Sequence, residues 1–112
     1  MSLPIYPTYE AALDAFDIAD AYMRRASAKL NSYPCDSIGL PPEAVRMSSK
    51  YRADRAAYDR AAKMAKAIQR EINERFRREE RAARINLTMD ERIALRKKRE
   101  AIADERIATA RP

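Results

Sequence analysis

At 112 residues the chain has room for one domain with a modest core, because a domain of this size buries only about two-thirds of its unfolded surface. It contains one glycine, one cysteine and no histidine, which excludes an internal disulfide, a cysteine-cluster metal site and the histidine-centred nucleophile and acid-base arrangements. The net charge of +6 is unevenly placed: residues 1–42 carry −2 and residues 43–112 carry +8, so the cationic character belongs to the C-terminal two-thirds.

Abundant alanine, arginine and glutamate with so little glycine predict an all-α fold. The expected architecture is an antiparallel hairpin of two long helices, at about 8–32 and 50–85, with a third C-terminal helix at about 89–109 and a loop at 33–48. Thr8 is the expected N-cap of the first helix. Its apolar stripe, Tyr9, Ala12, Phe16, Ala19, Met23, Ala26 and Leu30, steps by 3, 4, 3, 4, 3 and 4, alternating large side chains with alanine as a close-packed seam requires. Glu10, Asp14, Asp17 and Asp20 lie opposite this seam near the helix N-terminus, where acids complement the dipole, and are expected to be solvated rather than to hold a metal.

Residues 31–42 hold three of the six prolines and the sole glycine, Gly39, and mark the chain reversal. A short helical turn from Pro42 to about Met47 follows, and Ser48 or Ser49 offers the next N-cap. The second long helix places Tyr51, Tyr58, Ala61, Ala65, Ile68, Ile72 and Phe76 on one side. Thr88-Met89-Asp90-Glu91 fits a capping box and opens the third helix. There Met89, Ile93, Leu95, Ile102, Ala103 and Ile107 share a broad side that Arg96 and Arg99 dilute.

The second helix carries the feature that points to a function. Lys63, Lys66, Arg70, Arg77, Arg81 and Arg84 recur at steps of 3, 4, 7, 4 and 3, the spacing of one helical face. As a continuous ridge they would extend roughly 32 Å at about 1.5 Å per residue. Arg75 and Arg78 are expected to assist, and Phe76 to add apolar contact area on a segment overhanging the shorter first helix. Local acids temper the ridge through i to i+4 pairs, expected as Asp59 with Lys63, Glu71 with Arg75, Glu74 with Arg78 and Glu80 with Arg84. The run Glu74-Arg75-Phe76-Arg77-Arg78 followed by Ile85-Asn86 resembles, in residue type, two elements of basic helix-loop-helix DNA-binding domains. Six residues separate Arg78 from Ile85 where that family keeps the elements nearly adjacent, so the resemblance implies no membership.

These residues describe a small non-enzymatic binding protein, with no cofactor, metal or small-molecule substrate, whose Arg-rich helix docks on a nucleic-acid backbone or on the acidic surface of a protein or ribonucleoprotein complex. An inhibitor of a host complex carried by a phage or mobile element would fit that description. The alternative is a structural or assembly protein whose helices pair with copies of themselves or with a larger complex, and a homo-oligomer, a dimer, is expected of the binding protein. The absence of a basic leader and of any long apolar run places the protein, by expectation, in the cytoplasm and off the membrane.

Overall fold

Helices begin where local capping dictates. In the computed structural model, which describes residues 6–35 and 39–109, Thr8 is extended and its Oγ1 accepts from the Ala11 amide at 3.1 Å, opening α1 (Tyr9–Asn31). A single turn, α2 (Glu43–Arg46), precedes α3 (Ser49–Arg75), whose N-cap Ser48 accepts from the Tyr51 amide at 3.2 Å. α4 (Arg77–Ile85) and α5 (Met89–Thr109) complete the order, and among the described residues there is no strand. The reciprocal capping box at the start of α5 is formed, with Glu91 N donating to Thr88 Oγ1 at 3.2 Å and Thr88 N donating to Glu91 Oε1 at 3.3 Å. In the reversal, Gly39 has φ +83°, the left-handed conformation that any other residue would adopt only under strain.

The hairpin is formed by α1 and α3 running antiparallel. Tyr9 at the start of α1 meets Phe76 at the end of α3, with ring centroids 6.0 Å apart. At the other end Tyr33 stacks edge-on against Tyr51 at 5.1 Å and donates to Asp54. Ala12 and Ala19 of the α1 seam are buried with Ala65, Ile68, Ile72 and Phe76, and Tyr9, Leu13 and Phe16 close the edges. Among the described residues only Ile68 and Ile72 are large and fully enclosed, and the buried alanines let the helices approach closely.

The expected second helix of residues 50–85 is interrupted at Phe76, which has φ −121° and ψ 32°. Neither proline nor glycine causes the break. On a regular helix, positions four residues apart drift by about 40°, so Phe76 and then Glu80 move progressively off the Ile68–Ile72 line. With the interruption, the Phe76 ring is buried against Tyr9 and the Glu80 carboxylate accepts from Tyr9 Oη at 2.6 Å.

The third helix settles on α1, over the acidic surface expected to be solvated. Ala21, Ala103 and Ile107 are buried together with Ile18 at their edge, forming a second, smaller core. Asp14 approaches Arg106, Asp17 meets Arg99, and Arg24 meets Asp104, an order that does not progress evenly along both helices. The ion pairs between the two helices fall within residues 14–24 of α1 and 99–106 of α5, so their contact ends within a few turns. Ala103 and Ile107 are covered, whereas Met89, Ile93, Leu95 and Ile102 of the same expected side remain exposed. The Cα radius of gyration is 16.8 Å, against about 13 Å for a close-packed globule of this length. Among the described residues no helix is long and apolar enough to cross a membrane.

Candidate polyanion-docking surface

The ridge cations divide at Phe76. Lys63, Lys66 and Arg70 are exposed on α3, and Arg77, Arg78, Arg81 and Arg84 are exposed on α4, which has no buried residue. The continuous rod expected from the spacing is therefore two shorter cationic segments. Of the four expected i to i+4 pairs, Glu71–Arg75 and Glu80–Arg84 form, each at 2.6 Å. Asp59 turns to Arg55 at 3.5 Å instead of Lys63.

Two of the expected contact residues serve the protein's own interior. Phe76 is 9% exposed and belongs to the main core, because the interruption turns its ring onto Tyr9 instead of leaving it on an overhanging tip. Arg75 donates to the Tyr6 carbonyl at 2.9 Å and to Glu71 Oε1 at 2.6 Å, while its guanidinium lies 4.9 Å from the Phe76 ring centroid. It seals the N-terminal segment onto the end of α3 and neutralises the one buried carboxylate of the described residues.

The remaining α4 arginines are joined by a residue from α5. Arg92 Nη2 donates to the Arg84 carbonyl at 3.0 Å, satisfying the C-terminal end of α4. Arg77, Arg81, Arg84 and Arg92, with Asn73 and Glu80, line a shallow concavity of about 560 Å³. Glu80 is held by Tyr9 and Arg84, so its charge is compensated within the protein. Arg77 and Arg81 have no acidic partner among the described residues, and Arg92 spends its contact on a neutral carbonyl. The surface thus offers three cations free to meet an external anion. Arg92 is absent from the expected ridge because it lies on another helix, and no spacing within α3 and α4 signals it.

Beside the concavity runs a second groove of about 550 Å³ between α1, the end of α3, α4 and the first turns of α5. The two share Glu80, Arg84 and Arg92. Asp17, Asp20 and Glu100 face this groove, and each is near an arginine: Asp17 with Arg99 at 2.6 Å, Asp20 with Arg24 at 3.1 Å and Glu100 with Arg24 at 3.8 Å. The Asp17 hydrogen bonds hold the Arg99 guanidinium above its ordinary pKa. For Arg24 burial opposes the charge, but the hydrogen bonds of Asp104 and Asp20 outweigh it and leave the pKa raised. Three of the four α1 acids are thereby assigned to arginines. Comparison with protein-family models, with curated proteins and with solved structures found no match.

Proposed function

We propose that this chain is a helical binding protein of the cytoplasm, without chemistry of its own, that docks through α4 and the start of α5 on a polyanionic surface. The observation that carries this reading is the gathering of Arg77, Arg81 and Arg92 on one concave face whose lining acid, Glu80, is already held by Arg84 and Tyr9. Arginine suits such a role because its planar fork engages carboxylate or phosphate bidentately and stays charged at any physiological pH. Lys63, Lys66 and Arg70, on the preceding helix, extend the favourable field and steer the encounter.

The test is direct binding of labelled polyglutamate and of a labelled DNA duplex, read by fluorescence anisotropy across a salt series. Binding of either polyanion that disappears in Arg77→Glu/Arg81→Glu, with helicity unchanged, supports the reading. For a duplex contacting three to four arginines, log affinity should fall against log salt with a slope of roughly three. No binding to either polyanion at low salt removes it.

A second reading, assembly through exposed apolar residues of α5, is favoured by Leu95 and Ile102. They lie seven residues apart and are 43% and 47% exposed. Such a side pairs with another helix in a homo-oligomer. Concentration-dependent sedimentation that is lost in Leu95→Lys/Ile102→Lys would favour assembly.

A further inference from the structure

We propose that the partner taken at this surface is an acidic amphipathic helix of another protein, its apolar side seated in the groove between α1, α3, α4 and α5 and its carboxylates on the surrounding arginines; this rests on the polyanion-docking reading and narrows it. The groove has an apolar lining in Leu13, Phe16, Leu87, Met89 and Ile93. Met89 and Ile93 continue the side of α5 that carries Ala103 and Ile107 into the second core, but they lie beyond the contact with α1, so the protein leaves them 67% and 36% exposed. The volume of about 550 Å³ lies within the range of about 300–1,000 Å³ usual for ligand-sized clefts. An inserted helix presents such a cleft with a few anchors at i, i+3, i+4 and i+7.

The apolar part of the lining decides between the classes of polyanion. Asp17 and Glu80 on the groove wall each have an arginine of their own, Arg99 and Arg84, and Asp20 and Glu100 share Arg24 with Asp104, whereas Arg96 on its wall and Arg77 and Arg81 beside it have no acidic partner among the described residues. The unpaired charge beside the groove is positive, and apolar side chains make up part of its lining. A nucleic-acid backbone matches the first property alone, since phosphodiester gains nothing from aliphatic side chains. A helix with leucine on one side and glutamate on the flanks matches both.

The experiment uses the full chain and four labelled probes. The first is a synthetic helix of about 18 residues, or five turns, with leucine at i, i+3, i+4 and i+7 spacing and glutamate on the flanks. The others are a scrambled peptide of the same composition, polyglutamate, and a DNA duplex. The amphipathic helix is expected to bind at least about tenfold more tightly than the scramble. Ile93→Lys and, separately, Arg81→Glu should each weaken it by about tenfold or more. Both positions are exposed, and circular dichroism verifies that the variants remain folded.

Equal binding of helix, scramble and polyglutamate, untouched by Ile93→Lys, overturns the inference and leaves polyanion docking standing. Tight binding of the duplex alone does the same in favour of nucleic acid. Binding of no probe removes both readings. A dimer of the free protein that Ile93→Lys dissociates identifies the occupant as a second copy of this chain, and also overturns the inference.

Discussion

Arg99 reaches from α5 to Asp17 on α1 with both arms of its guanidinium, Nη2 at 2.6 Å from Oδ1 and Nε at 3.0 Å from Oδ2. The pair stands at the edge of the small core of Ala21, Ala103 and Ile107, and Arg24 with Asp104 forms a second polar contact across the same two helices. With so little apolar area beneath α5, such pairs help determine where the helix docks. They are half-buried and one is bidentate, so they are stronger than ordinary surface ion pairs. A double-mutant cycle on Asp17→Asn and Arg99→Gln, read by urea unfolding, is expected to give a coupling of about 1 kcal/mol. Amide exchange in α5 should accelerate in both single variants more than in α3. A coupling near zero would show that apolar packing alone holds α5.

The contact between α1 and α5 depends on small side chains. Ala21 is fully buried beneath Ala103 and Ile107, leaving no space for added methyl groups. Ala21→Leu is expected to cost about 1–3 kcal/mol by overpacking and to release α5 while the hairpin persists. Limited proteolysis cutting first between α4 and α5 would register this. A variant as protease-resistant as the parent contradicts it.

Tyr9 ties α1 to α4, and burial followed by its hydrogen bond to Glu80 pushes the phenol from 10.0 up to about 12. The folded protein therefore retains this proton where an unfolded chain releases it. The contribution is complete below pH 10 and is lost as the pH rises from 10 to about 12. Tyr9→Phe should cost about 1–2 kcal/mol near neutrality and should show a shallower stability loss across that alkaline window. Denaturant midpoints measured at several pH values compare the two slopes, and identical slopes would exclude Tyr9 as a source.

Phe76 is a core residue. Phe76→Ala should lower stability by about 3 kcal/mol, visible as a lowered thermal midpoint, because it opens a cavity under Tyr9 and Arg75. Phe76→Leu should restore most of that loss. Affinity per folded molecule for polyglutamate or the acidic helix is expected to stay within about twofold for Phe76→Leu. A selective loss of binding at unchanged stability would return Phe76 to the contact surface.

The two cationic segments should also separate by experiment. Lys63→Glu/Lys66→Glu alters charges on α3 outside both clefts, and should lower the association rate at low salt without changing dissociation. Arg77→Glu/Arg81→Glu should raise the dissociation rate by about tenfold or more. Stopped-flow measurements at two salt concentrations distinguish these effects.

Helix starts were legible because their causes lie within one turn of sequence: Thr8, Ser48 and Thr88 accept from amides three residues ahead, whatever the rest of the chain does. The α1 seam was equally legible, since a 3,4 recurrence that brings alanine back every seven residues has one geometric reading, and Ala12, Ala19 and Ala26 are all buried. So was the exposure of Lys63, Lys66, Arg70, Arg77, Arg81 and Arg84, because unpaired charge is costly to bury. The sequence by itself thus determined an all-α chain, its antiparallel hairpin and a basic outer surface.

Only the tertiary structure decided the interruption at Phe76, the seating of α5 on the acidic side of α1, and the meeting of Arg92 with Arg84. Each depends on side chains brought together from different elements, as when Tyr9 Oη finds Glu80 71 positions away and Arg99 finds Asp17 82 positions away. Periodicity within one helix specifies which side a residue occupies, but it cannot specify which distant side will meet it. That choice follows from shape and charge complementarity after collapse, which is why the cleft beside α4 exists only in three dimensions.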